Sequence, residues 1–217
     1  KGSKITDFSH GSWVSSIIAS PFNNNKRLSG VIPTAKIIPI KFRQRGEGPF
    51  VKAINYAASK GVDSMNLSWS MDELPLSFNP TIGAAIFYAS FNGSIFGGKK
   101  QPVILCAGND SKNLDDFAPC SDYPNCVYYG QILVGGSDKN GGIWHIDATG
   151  GSNYGKAVHL AAGAHAISAS LYYPARTTNR YKFEVANGTS AAAPMVASIV
   201  AMIKKMAYLT ILLALFV

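Results

Sequence analysis

The sequence predicts an α/β fold: a doubly wound, mostly parallel β-sheet flanked by helices. A β-branched apolar run, VIPTAKIIPIKF from Val31, leads into a stretch with helical spacing and then into a second short apolar run from Val62. Strand, helix and strand at these lengths form a βαβ unit, which implies parallel pairing and a right-handed crossover. The same alternation continues downstream, and no internal repeat or low-complexity stretch divides the chain. Its 217 residues, 47% of them hydrophobic, suffice for one α/β domain with a sizeable core.

The first helix is predicted from His10, where HGSWVSSIIAS places Val14, Ile17 and Ile18 on one face; Pro21 and the asparagines after it end the helix. His10 then stands at a helix N-terminus, where the dipole disfavours imidazolium and keeps the ring able to accept a proton. A histidine in a surface turn would read the same way. The first strand follows Gly30, and a basic glycine-containing loop, Arg43 to Gly48, leads to a helix starting at Pro49 and stopped by Gly61. A second strand is expected from Val62 to Ser68, and a second amphipathic helix from Pro80 to about Phe91. Pro102 to Ala107 is a third strand, with Gly108-Asn109-Asp110 directly after it. In open parallel sheets ligands bind beyond the carboxyl ends of the strands, which would put Asn109 in the crevice. A turn asparagine in left-handed conformation is the alternative. Gln131 to Gly136 and Ala157 to Ala161 complete the expected strands.

The stretch VANGTSAAAP, Val185 to Pro194, puts Ser190 where a glycine-bearing turn passes into a helix. Val196, Ile199, Val200 and Ile203 recur at helical spacing and are expected to form the buried face of that helix. A hydroxyl at a helix N-terminus sits among unpaired N–H groups that favour an oxyanion, so Ser190 is a candidate nucleophile. An ordinary helix cap would use the same residues.

Composition narrows the function. The formal charge of +8 is spread along the chain, and no basic run is interleaved with stacking aromatics, so nucleic-acid binding is not indicated. The three cysteines lack zinc-site spacing and the four histidines are scattered. Cys120 and Cys126 flank a polar loop and could be bridged or free, whereas Cys106 in VILCA reads as a buried small hydrophobe. His145, His159 and His165 read as structural or surface residues. Ala207 to Val217, AYLTILLALFV, is either core or part of a longer membrane helix, being shorter than the roughly 20 residues a span requires.

Chain order discriminates among serine hydrolases. No histidine follows Ser190, and its surroundings are not the G-x-S-x-G elbow, which excludes an α/β-hydrolase. Histidine on an early helix, asparagine beyond a central strand and serine on a later helix fit the subtilisin order. The chain resembles the subtilisin-like serine proteases, the subtilases, from His10 to about Met202. His10-Gly11-Ser12 resembles the family's HGT block, GVIPTAKIIPIK its following strand, and GVDSMNLSWS its substrate-flanking strand. LCAGND resembles the oxyanion-asparagine block and NGTSAAAP the nucleophile block.

The resemblance implies a serine endopeptidase working through an acyl-enzyme, with Ser190 as nucleophile, His10 as general base and Asn109 as oxyanion donor. Substrate would lie extended between Arg45-Gly46 and Leu67-Ser68-Trp69, pairing through its backbone. The family's catalytic aspartate lies on a strand well before the histidine, and Asp7 is too close to His10 to take that role. The chain is therefore read as a single incomplete catalytic domain over residues 1–217, lacking its first strand and nearly inactive by itself, with sheet edges left exposed. Trp13, Ser15 and Ser16 stand where the family usually has histidine, alanine and glycine, and Trp69-Ser70 replaces a leucine-glycine pair. Protein or peptide substrates are the expected partners, with a propeptide conceivable outside the chain, a secretory location, and no membrane association. Calcium is the one conceivable metal, near Asn23, Asn24 and Asn25, although Lys26 and Arg27 oppose it.

Overall fold

The computed structural model describes residues 10–23, 25, 28–41, 47–69, 80–92, 100–116, 130–164, 167–172, 181–205 and 212–216. Helices α1 (His10–Ala19), α2 (Glu47–Ser59), α3 (Pro80–Phe87) and α4 (Thr189–Lys205) flank a six-stranded parallel sheet. Its strands are β1 (Lys36–Ile40), β2 (Ser64–Leu67), β3 (Val103–Cys106), β4 (Gln131–Ser137), β5 (Leu160–Gly163) and β8 (Leu212–Phe216). Their order across the sheet is β1-β8-β2-β3-β4-β5. An antiparallel hairpin, β6 (Ile167–Tyr172) with β7 (Tyr181–Ala186), stands apart from it. The α/β architecture expected from the sequence is the one observed.

Alternation along the strands sorts their side chains into two cores. On one face Met65, Leu67, Val103 and Leu105 pack against Phe50, Ile54 and Ala57 of α2 and Ile82 and Ile86 of α3. On the other, Ile104, Cys106 and Val134 meet Val14 and Ile18 of α1 and the alanines of α4. Pro39 lies in β1, at the sheet's edge, where its missing N–H breaks no ladder on the outer side. Gly61, with φ of 62°, ends α2 as expected.

Several elements depart from their expected bounds. Helix α2 starts at Glu47, placing Pro49 within the first turn rather than at its start; the N–H groups there have no intrahelical partner, so proline costs nothing. After Phe87 the third helix widens into a π turn over Tyr88–Asn92. The strand expected at Ala157 to Ala161 begins at Leu160. Val158 N–H closes a turn onto Gly155 O, and Lys156 N–H donates to Asp115 Oδ1, so these residues have no ladder to join.

Two differences are larger. The face of α4 expected to be buried is only partly so: Val196 is buried, but Ile199 and Ile203 are 48% and 64% exposed. Alanines 192, 193, 197 and 201 form the buried face instead, because small side chains let the helix axis approach β2, β3 and β4. Of the C-terminal apolar run, residues 212–216 are described, and they take the strand form of a core segment rather than a helix. Residues 212–216 form β8, inserted between β1 and β2, so the sheet has no gap there. Among the described residues no helix is long and apolar enough to cross a membrane.

Candidate active site

Ser190 is the second residue of α4 and is half-buried. The chain reaches it through Gly188, whose φ of 98° suits glycine and whose added Cβ would lie 3.0 Å from Asn109 Oδ1. Behind Ser190 stands Pro194, inside the helix. Proline has no N–H to donate to the carbonyl four residues back, so Ser190 O is left out of the helical ladder. Ser68 takes that place: its Oγ–H donates to Ser190 O at 2.9 Å, and Asn66 Nδ2–H donates to Ser68 Oγ at 3.0 Å. The Ser190 hydroxyl in turn reaches Ser68 O at 3.5 Å, the outer limit of a hydrogen bond. The start of α4 is thereby tied to the end of β2 through the nucleophile candidate itself.

Asn109 follows β3 and is exposed, and the positive φ in this turn falls on Gly108 (99°) and Ser111 (54°) rather than on Asn109. Its orientation is fixed by a short chain of hydrogen bonds. Gly108 N–H donates to Thr189 Oγ1 at 3.2 Å, so that hydroxyl gives its own proton to Asn109 Oδ1 at 3.0 Å. Thr189 N–H donates to the same oxygen at 2.9 Å. With Oδ1 claimed twice by donors, the amide nitrogen of Asn109 points away from Thr189 with its two hydrogens.

A residue that sequence reasoning missed holds this loop. Asn153, 1% exposed, accepts from Asp110 N–H (3.1 Å) and Lys112 N–H (2.9 Å) and donates to Ala107 O (2.9 Å). It thus grips the backbone on both sides of Asn109. Its only sequence signal is a turn-like GGSNYG.

His10 opens α1 and is half-buried, with the Trp13 ring edge-on at 4.6 Å between centroids. Helix α1 packs on α4 near the latter's start: Ile17 lies with Ala191, Val14 and Ile18 with Ala192 and Ala193, and Trp13 touches both groups. His10 and Ser190 are therefore carried by the leading ends of two helices in mutual contact. Ser15 and Ser16 turn their hydroxyls back onto Gly11 O and Trp13 O, which keeps them within their own helix.

Of the expected substrate-flanking residues, Arg45 and Gly46 lie outside the described residues. Leu67 is buried in the core, Ser68 is engaged with Ser190, and Trp69 is half-buried with its ring tilted against Phe50 at 5.7 Å. His159 Nδ1 accepts Leu133 N–H, a structural use of that ring, and His145 belongs to a loop bridge with Gly151. His165, Asn24, Lys26, Arg27 and the Cys120–Cys126 loop lie outside the described residues. Among the described ones no cluster of three or more His, Cys, Asp or Glu could hold a metal.

Cys106 ends β3 beneath the site, free and 2% exposed. Burial pushes its thiol from 9.0 up to about 11, opposed by the Thr189 and Ser190 hydroxyls. A raised folded-state value means the protein loses stability as pH climbs from about 9 toward 11, where an unfolded thiol ionises and the folded one does not. Two units correspond to about 2–3 kcal/mol. Alkaline urea melts are expected to show this slope in the native chain and not in Cys106→Ala; equal slopes would contradict it.

The sequence pattern of the subtilase family, Peptidase S8, matches residues 3–211. The chain belongs to the subtilase family. It is similar to a thermophilic serine proteinase of Bacillus sp. strain AK1, with 30% identity over 198 residues, covering 89% of this chain and 42% of the relative. It is also similar to an extracellular protease of Xanthomonas campestris pv. campestris, at 25% identity over 91% of this subtilase and 33% of the other. Among solved structures, a protease from Pseudoalteromonas arctica aligns with a TM-score of 0.69 and 25% identity, over 90% of this chain and 58% of that one. The PatG macrocyclase domain shares the fold at a TM-score of 0.65 and 19% identity, over 92% and 54%. This subtilase thus spans less than half the length of these two curated relatives.

Proposed function

We propose that the chain is the greater part of the catalytic domain of a serine endopeptidase that hydrolyses peptide bonds through an acyl-enzyme. The observation that carries this reading is the hydrogen-bonded frame around Ser190 and Asn109. Two networks, one from β2 to the Ser190 carbonyl and one from the turn after β3 to Thr189, hold the start of α4 and leave the Asn109 amide hydrogens facing away from Thr189.

In this reading His10 takes the hydroxyl proton of Ser190 as the oxygen attacks the peptide carbonyl. The carbonyl oxygen becomes an oxyanion, held by Asn109 Nδ2 and the Ser190 N–H. His10 then returns the proton to the leaving amine, and water repeats the sequence to free the acyl group. A carboxylate on a strand outside residues 1–217 would orient His10. Extended substrate would pair beside Ser68 and Trp69, and the arginines of the neighbouring loop would favour acidic residues upstream of the cut. The name of the Xanthomonas relative, an extracellular protease, favours a secretory location.

The direct test is stoichiometric labelling by a fluorophosphonate, with the adduct mapped by mass spectrometry. Modification at Ser190 is expected. Absence of an adduct in the longest natural form of the protein would leave a non-catalytic subtilase that binds extended peptides. Asn109→Leu, close in size and without donors, is expected to lower kcat roughly 10²- to 10³-fold, the cost known for subtilisin itself, with little change in KM. A rise in KM at constant kcat would assign Asn109 to ground-state binding instead.

A further inference from the structure

Three neighbouring strands of the parallel sheet end at the candidate active site. Ser68 follows β2, Asn109 lies in the turn after β3, and residues 138–151 follow β4; these strands are consecutive in the sheet. A substrate paired beside Ser68 and Trp69 that presents its carbonyl to Asn109 has crossed from the end of β2 to the end of β3. The residues after the cut therefore continue toward the loop that follows β4.

That loop is fastened to the Asn109 turn through its backbone. Gly151 N–H donates to Asn109 O at 3.1 Å, and Ser111 N–H donates to Gly151 O at 2.9 Å. Ile146 N–H and Asp147 N–H both turn back onto Gly150 O, and His145 bridges Gly151, so residues 145–151 form a tight hairpin. Gly150 is the point of convergence. A Cβ there would stand 2.7 Å from Ile146 Cγ2, 3.6 Å from Asn109 O and 3.8 Å from Asp147 Oδ1. The isoleucine, the carboxylate and the Asn109 carbonyl thus surround one stretch of backbone.

The hairpin tip displays two side chains that the core does not use. Ile146 is 62% exposed, and Asp147 is exposed beside it. Asp147 Oδ1 accepts from Thr149 N–H at 2.7 Å, from the Thr149 hydroxyl at 2.8 Å and from Gly150 N–H at 2.9 Å. These donors, the Thr149 N–H foremost, hold the carboxyl below its ordinary value and fix its orientation, while Oδ2 takes part in none of the three bonds. An oriented anion beside an exposed aliphatic side chain suits lysine or arginine. The apolar stem of either can lie on Ile146 while its charged head meets Asp147.

We propose that Ile146 and Asp147 are specificity residues that select a lysine or arginine on the leaving-group side of the cut. The basic residue stands within about three positions of the scissile bond, because an extended chain advances about 3.3 Å per residue and the hairpin adjoins Asn109. This inference rests on the reading of Asn109 as the oxyanion donor, which fixes where the cut lies. The pair is exposed to water, so its contribution is a preference of about fivefold that fades as salt screens it.

The test digests a mixed peptide library with the longest natural form of the protein and reads the new N-termini by mass spectrometry. Lysine and arginine are expected to be enriched about fivefold at one of the first three positions after the cut. The enrichment should disappear in Asp147→Asn, which keeps the Oδ1 acceptor that closes the hairpin and removes only the charge. A cleaved peptide remade with glutamine in place of that lysine should show a kcat/KM about fivefold lower, and the difference should shrink in roughly 0.5 M salt. No enrichment, or enrichment that survives Asp147→Asn, would overturn the proposal while leaving the peptidase reading intact. If no new N-termini appear, the peptidase reading fails instead, and the same library is captured on the immobilised protein. Preferential capture of lysine and arginine peptides by the native chain over Asp147→Asn would keep the site as a peptide-binding element; equal capture would overturn it.

Discussion

Alanine in place of Ser190, in a form of the protein that carries the orienting aspartate, is expected to lower peptide turnover by roughly 10⁶-fold, the size of the loss known for subtilisin when its nucleophile is removed. The fold should survive, because the frame around residue 190 uses its backbone more than its hydroxyl. Ser68 Oγ donates to the carbonyl of residue 190, which alanine retains, and the hydroxyl contributes only the long contact to Ser68 O. The measurement is kcat/KM on a chromogenic peptide beside a thermal melt. Loss of activity with an unshifted Tm assigns the hydroxyl to chemistry, while equal losses of both would assign it to structure. His10→Ala should reach the same floor, and the double variant should fall no further, since the two groups act as a unit.

The second large effect concerns the carboxylate. A form of the protein that carries an aspartate-bearing strand ahead of Lys1 is expected to turn over roughly 3 × 10⁴-fold faster than residues 1–217 alone, again a magnitude borrowed from subtilisin. Single-turnover hydrolysis of an activated ester by both forms, at equal fluorophosphonate-titrated site concentration, measures the ratio. Equal rates would show that the described chain orients His10 with its own groups. A difference confined to KM would show that the added strand serves binding rather than proton transfer.

Much of this architecture was legible because strong local signals agreed with one another. Val14, Ile17 and Ile18 mark the inner face of α1, Gly61 stops α2, and the run VILCA before a glycine places Asn109 beyond a strand end. What escaped was packing by small side chains. Hydropathy spacing picks out Ile199 and Ile203, but helix approach is set by alanines, which carry little hydrophobic weight and leave the larger residues outside. The strand β8 escaped for another reason: an unbroken apolar run has no period, so nothing in it separates strand from helix. The hairpin β6–β7 was not anticipated either. Within the site the sequence indicated which residues are present and not how they are fastened. Asn153 and Thr189 hold Asn109 from distant positions in the chain, and no spacing rule connects them.

Pro194 gives the site a genetic signature as well as a shape. Because it withholds a hydrogen from the carbonyl of Ser190, the hydroxyl of Ser68 acquires a task, 122 residues away from Ser190 in sequence. Restoring an amide hydrogen at 194 would return that carbonyl to the helix and make Ser68 dispensable to α4; losing Ser68 would leave the proline's vacancy unanswered. The effect of either substitution thus depends on the residue at the other position, and the order matters: Ser68 can be lost without cost to α4 only once residue 194 supplies an amide hydrogen.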